Sequence, residues 1–221
     1  MDKFEKIKSQ IQQYLREDKK LFVTSSFQTH SIPLLHIISR IDKSIPIFFL
    51  NTGFLFPETL VFKDELSELL DLKITGLESL IPKSQQLDQN GQLLFTSDPD
   101  YCCYLNKTQP LEPILLSHDV WINGIRADQN TNRAQMKIEE KTPQGALRYH
   151  PMLDWTSKEI FQYRKTYNLP AHPLDAKGYL SIGCEPCTRK MVGNDDERTA
   201  RWFGMNKVEC GLHTDLIVKE K

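Results

Sequence analysis

No run of apolar residues in this chain approaches the roughly 18 that a membrane-spanning helix needs, so no membrane span and no membrane partner are expected. Net charge is nearly absent too: 28 Lys and Arg stand against 29 Asp and Glu over 221 residues. Without a chain-wide basic field, nucleic acid is not an expected partner. Residues 1–10 alternate charged with apolar side chains and show neither a continuous apolar stretch nor a small-residue cleavage site, so secretion is not expected. Internal repeats and low-complexity tracts are missing. So is G-x-x-x-x-G-K-[ST], which argues against an ordinary P-loop ATPase. What remains is a hydrophobic content of 39%, enough for the core of one large domain.

Cysteine is sparse and unevenly placed. Cys102 and Cys103 are adjacent, Cys184 and Cys187 form a C-x-x-C, and Cys210 stands alone. Disulfides would require an oxidising compartment, which the missing secretion signal argues against; reduced thiols in a cytoplasm are expected. Four thiols suffice for a zinc ion or an iron-sulfur cluster, and the count alone leaves both open. Consecutive side chains diverge on helix and strand alike. Ligation by an adjacent pair therefore calls for special local geometry, unlike the two C-x-x-C pairs of ordinary zinc sites.

Phe4, Ile7, Ile11 and Leu15 recur at helical spacing, predicting an amphipathic helix over 2–19. Strands are expected at Leu21 to Thr24, Ile45 to Leu50, Leu72 to Thr75 and Asp119 to Ile125. Helices are expected at Pro33 to Ile41 and Pro57 to Leu70. The S/T-x-x-E spacing of Thr156 and Glu159 predicts a capping box opening a helix from Ser157 to about Tyr167. Alternation of strand and helix implies an α/β fold, an open, mostly parallel twisted sheet flanked by helices. A polar stretch at 82–100 interrupts it, and regular periodicity fades after Gly178. We expect a body over 1–190 and a mobile tail over 191–221.

Two loops fall at the carboxyl edge of such a sheet, where α/β folds bind ligands. Ser25, Ser26 and Phe27 follow the first strand, with small hydroxyl residues ahead of a helix N-terminus; an ordinary turn capped by Ser31 is the alternative. Thr52 and Gly53 follow the second strand, and glycine there permits a sharp turn.

The loop NTGFLFPET, the pair CCYLNKTQPL, the stretch WINGIRADQNTNRA, the run GYLSIGCEPCTR and the terminal KVECGLH together resemble the assimilatory adenylyl-sulfate and phosphoadenylyl-sulfate reductases, from about Leu21 to Thr214. The resemblance implies an adenine-nucleotide α-hydrolase-like fold related to the PP-loop enzymes. It implies a [4Fe-4S] cluster on Cys102, Cys103, Cys184 and Cys187, with Lys107 between cluster and substrate. It makes Cys210 the nucleophile that carries an S-sulfocysteine, supported by His213, with thioredoxin or glutaredoxin as reductant. Ser25, Ser26, Phe27, Thr52, Gly53, Arg126, Arg133, Arg189, Arg198 and Arg201 become candidates for binding adenylyl sulfate, or alternatively its 3′-phosphorylated form, and a homodimer or tetramer is implied. Gln28 stands where such proteins commonly have glycine, and Ala127 where many have arginine. Other classes are a PP-loop RNA thiolase, whose S-G-G-x-D-S loop is missing, and a zinc-stabilised nucleotide-binding regulator with an incidental Cys210.

Overall fold

The computed structural model describes residues 2–191, 200–205, 207, 209–214 and 216. Helix α1 (Lys3–Arg16) precedes strand β1 (Leu21–Thr24), helix α2 (Ile32–Ile41), strand β2 (Ile47–Leu50), helix α3 (Pro57–Leu70) and strand β3 (Ile74–Leu77). Short helices α4 (Leu94–Ser97) and α5 (Pro99–Cys103) lead through a π-helical turn, Tyr104–Thr108, into α6 (Gln109–Ser117) and strand β4 (Val120–Asn123). A short α7 (Thr131–Ala134), strands β5 (Glu139–Lys141) and β6 (Leu147–Tyr149), and helix α8 (Ser157–Thr166) complete the regular elements.

The strands form one sheet in the order β3-β2-β1-β4-β6-β5. The first five run parallel, and β5 closes one edge antiparallel to β6. Period-two alternation assigns the faces. Val23 of β1 and Val120 and Ile122 of β4 pack with Ile7, Ile11, Ile38, Leu66 and Ile160 from α1, α2, α3 and α8. Phe22 and Trp121, one residue out of phase, pack on the other face with Leu111 and Leu115 of α6. Each such side chain contributes about 1.5–3 kcal/mol on burial, so a one-residue slip, which drives each set into the opposite layer, would misfit both.

The third strand starts two residues later than its apolar run suggests. Asp71 ends α3 in the left-handed region at φ 50°, Leu72 N–H closes back on the Ser67 carbonyl at 3.0 Å, and Leu72 is buried as part of that helix stop. The β5–β6 hairpin was not expected, since β5 reads Glu-Glu-Lys; an edge strand can carry charge because it meets water. No helix among the described residues is long and apolar enough to cross a membrane.

The expected capping box is present. Thr156 Oγ1 accepts from Glu159 N–H at 3.2 Å, Glu159 Oε2 accepts from Thr156 N–H at 2.8 Å, and Lys3 meets Glu159 Oε1 at 2.8 Å. The Lys3 ammonium, then the Thr156 amide, hold the Glu159 carboxyl down to about 2. A depressed carboxyl contributes stability above its unfolded value that is lost as pH falls through the folded one. Glu159→Gln should therefore cost about 1 kcal/mol at neutral pH, with the difference from the unmutated chain shrinking between about pH 4.5 and 2; urea unfolding across that range measures it.

Candidate active site

An open cleft enclosing about 1190 Å³, its solvent-exposed part included, lies at the carboxyl ends of β1, β2 and β4. Ser25, Ser26 and Phe27 line it from the first loop, Thr52 from the second and Asn123 from the end of β4. Phe27 is buried with φ 56°, the left-handed region that few side chains accept. Ser25 Oγ accepts from the Phe27 amide at 3.1 Å and so supports that turn. Position 28 is extended, φ −61° and ψ 154°, so glycine is not required there. Gln28 instead braces the loop: its Nε2 donates to Ser26 Oγ at 3.2 Å and its Oε1 accepts from the Ile182 amide at 3.0 Å. Ser31 makes no side-chain cap on α2. Asn123 is buried, and neither its amide oxygen nor its nitrogen has a partner among the described residues, which suits it to a ligand with a donor and an acceptor.

Behind the cleft, Cys102, Cys103, Cys184 and Cys187 line a second, smaller cavity. All four are buried free thiols. The adjacent pair ends α5, and the π-helical turn that follows brings the next residues back over it. Asn106 Nδ2 donates to the Cys102 carbonyl at 2.9 Å and approaches Cys102 Sγ at 3.6 Å; Lys107 Nζ approaches Cys103 Sγ at 3.6 Å. A π turn inside a helix often marks a functional site. The C-x-x-C sits on a 3-10 turn, Glu185–Cys187, docked on the second loop by Glu185 N–H to the Phe54 carbonyl at 2.7 Å. Thr52 Oγ1 lies 3.3 Å from Cys184 Sγ. Thr52, Lys107 and Cys184 line both cavities, so the two share a wall.

Their surroundings raise Cys102, Cys187 and Cys103. Burial, then Cys184 and Cys187, push Cys102 up to about 11; burial, then Cys184, push Cys187 up. Cys103 goes up because it donates a hydrogen bond to Cys210 and because it is buried. Lys107 stays charged: burial opposes this, but the nearby sulfurs of Cys184, Cys210 and Cys103 raise it further. Among the described residues no three Cys, His, Asp or Glu side chains converge closely enough to hold a single metal ion.

Described residues of the C-terminal segment close the cleft. Trp202 N–H donates to the Cys187 carbonyl at 3.1 Å and Arg201 Nε to the same oxygen at 3.2 Å. Arg201, Cys210 and His213 all line the cleft. Cys210 is half-buried, and its thiol is held well below the usual range by the Cys103 hydrogen bond, against burial, with help from Lys107 and the Leu212 amide. Glu209 does not leave its charge facing this sulfur unpaired; its carboxylate pairs with Arg133, which also lines the cleft. His213 Nδ1 accepts from Arg148 Nη2.

Ser25, Ser26, Phe27, Thr52, Lys107, Arg133, Arg201, Cys210 and His213 are thus brought to one cleft, with Cys184 in its wall. Three candidates do not line it. Arg126 is buried against Asp128 at 2.9 Å and Ser157 at 2.9 Å. Arg189 lies over the Phe203 ring at 3.3 Å. Gly53, at φ +69°, turns the second loop, and its carbonyl accepts from Lys83 at 2.6 Å. Arg198 lies outside the described residues. Sequence reasoning passed over Arg148, fully buried, 4.5 Å over Trp121 and pushed down to about 10 by burial. The only signal was a charged residue in an otherwise apolar strand.

The phosphoadenosine phosphosulfate reductase domain matches this chain over residues 20–190. An adenosine 5'-phosphosulfate reductase of Chelativorans sp. is 37% identical over 200 residues, covering 90% of this chain and 80% of its own. A phosphoadenosine 5'-phosphosulfate reductase of Gloeobacter violaceus is 36% identical, covering 88% and 82%. In structure, the phosphoadenylyl-sulfate reductase of Candida auris in its phosphate complex superposes with TM-score 0.68 at 18% identity, over 80% of this chain and 87% of that one. That likeness agrees with the mostly parallel α/β fold.

Gly183 and Arg201 line the cleft together, and a Cβ built at Gly183 would run into the Arg201 guanidinium. Gly183→Ala should cost about 1 kcal/mol, because the guanidinium can swing aside only by giving up its bond to the Cys187 carbonyl. The cost should largely vanish in an Arg201→Ala background, a coupling that a double-mutant cycle by urea unfolding reads directly.

Proposed function

Because the chain belongs to the phosphoadenosine phosphosulfate reductase family, we propose that it reduces adenylyl sulfate to sulfite and AMP with a thioredoxin-type dithiol. The observation that carries this reading is the convergence of Cys210, Lys107, Arg133 and Arg201 on one cleft at the carboxyl edge of the sheet. A soft nucleophile beside three cations is the arrangement that attack on an anionic sulfate group requires.

The Cys210 thiolate attacks the sulfate sulfur, the bond from sulfur to the bridging oxygen breaks, and AMP leaves with that electron pair. Cys210 then carries an S-sulfo group. One thiolate of the dithiol attacks Cys210 Sγ and releases sulfite; its second thiol resolves the mixed disulfide, returning the Cys210 thiolate and leaving the reductant oxidised by two electrons. Lys107 and Arg133 neutralise charge on the transferring group, and the hydroxyls of Ser25 and Ser26 offer donors to the phosphate. Release of sulfite requires Cys210 to reach a partner's dithiol, so the 191–221 segment opens between half-reactions while the 1–190 body holds the nucleotide.

Cys102, Cys103, Cys184 and Cys187, four buried free thiols lining one cavity, fit the donor set of a [4Fe-4S] cluster. Asn106 and Lys107 donate toward two of them, the outer-shell support such a group needs. Bound there, the cluster would supply a fixed electrostatic environment at the wall of the cleft. With Cys103 committed as a ligand, Lys107 and the Leu212 amide are the groups left to hold Cys210 as thiolate.

Phosphoadenylyl sulfate is the second reading, favoured by the Gloeobacter violaceus relative. The deciding assay is sulfite release by anaerobically purified protein with each nucleotide and thioredoxin. Adenylyl sulfate should turn over and Cys210→Ser should lose at least about a thousandfold; turnover of only the 3′-phosphorylated form transfers the assignment. Iron analysis should give about four irons per chain, and Cys184→Ser should lower that content.

A further inference from the structure

Glu209 directly precedes the nucleophile, and its side chain is fully shielded, at 0% exposure. Its carboxylate is gripped by a fork: Arg133 Nε donates to Oε2 at 2.9 Å and Arg133 Nη2 to Oε1 at 3.2 Å. Asn130 Nδ2 adds a bond to Oε2 at 2.9 Å, and the Cys210 amide donates to Oε1 at 2.9 Å. The receiving side is built in advance. Asn130 Oδ1 accepts from the Arg133 amide at 2.8 Å, and Arg133 Nη1 donates to Gln129 Oε1. Arg133 and Gln129 both line the nucleotide cleft.

The fork that a guanidinium offers a carboxylate is the fork it offers sulfate or phosphate. A cleft that must receive a sulfate group beside Cys210 needs this arginine buried and oriented. A buried guanidinium left alone, however, is strongly destabilising. In the resting chain the carboxylate next to the nucleophile fills the position that the anion will take.

We propose that Glu209 is a positioning residue that acts as an internal stand-in for the substrate's sulfate: it holds Arg133 while the cleft is empty, and the incoming sulfate group exchanges with it. The proposal rests on the reductase reading and extends it to how the anion seat is kept. Two consequences follow from the geometry. Substrate binds against an internal competitor, so its apparent affinity is reduced by the fraction of molecules whose seat is open. And because the Cys210 amide is bonded to the same carboxylate, displacing Glu209 frees the nucleophile's backbone when a sulfate is in place to be attacked.

Calorimetric binding to full-length, anaerobically prepared Cys210→Ser protein tests the exchange without turnover. Glu209→Gln keeps the shape and still accepts from the Cys210 amide, but loses the charge that competes for Arg133. Added to the Cys210→Ser background, it should tighten adenylyl sulfate by about tenfold and leave AMP, which lacks the sulfate, unchanged. Unchanged or weaker adenylyl sulfate binding overturns the proposal, as does an equal gain for AMP, since a merely structural Glu209 would move both ligands together. If neither adenylyl sulfate nor its 3′-phosphorylated form binds either protein, the reductase reading fails separately, and inorganic sulfate decides the exchange. Sulfate should then accelerate iodoacetamide labelling of Cys210 in the unmutated chain and not in Glu209→Gln; a rate indifferent to sulfate in both overturns the exchange.

Discussion

Lys107 stands in the wall between two cavities, and its single positive charge faces cysteine sulfurs on both sides of that wall. Burial, and then neighbouring sulfurs, oppose ionisation of Cys102 and Cys187. A site that collects five thiols needs cationic compensation at short range. The local chain is arranged to deliver it. The π-helical turn after the adjacent cysteines swings Asn106 and Lys107 back over the pair, the C-x-x-C docks on the loop after β2, and the tail brings Cys210 within reach of Cys103 and Lys107. Displacing this ammonium would disturb the acidity of Cys210 and the charge balance of the four-thiol cavity together.

Much of this was readable from the chain. Parallel β1, β2 and β4, the flanking helices and the capping box at Thr156 follow from period and spacing, because those elements are buried on defined faces. The β5–β6 hairpin escaped because its outer strand pairs charged residues at an edge, where no apolar pattern is enforced. The offset of β3 has a related cause: Leu72 looks like strand but is buried at the end of α3. At the site, the cysteines and Lys107 were legible as motif positions. The partners of the arginines were not. Arg126 and Arg133 sit seven residues apart in one motif, yet one is spent on Asp128 and Ser157 and the other faces the cleft. Only the turn through α7 separates those fates, and side-chain pairing over 76 positions of sequence leaves no local trace.

The first loop carries a similar lesson about substitutions. Gln28 stands where such proteins commonly have glycine, but the left-handed residue is its neighbour Phe27. With the backbone extended at 28, a side chain costs nothing in strain and gains two partners, Ser26 and the Ile182 amide. The loop is thereby tied to the segment that leads into Cys184.

Main-chain bonds also run between the C-x-x-C region and the segment ahead of Cys210: Arg189 N–H to the Ala200 carbonyl at 3.0 Å and Trp202 N–H to the Cys187 carbonyl at 3.1 Å. Oxidative injury at Cys184 or Cys187 would therefore not stay local. It would slacken the backbone register that carries Cys210 into the cleft, so a damaged molecule would fall silent as a whole instead of persisting as a half-competent enzyme with a misaimed reactive sulfur.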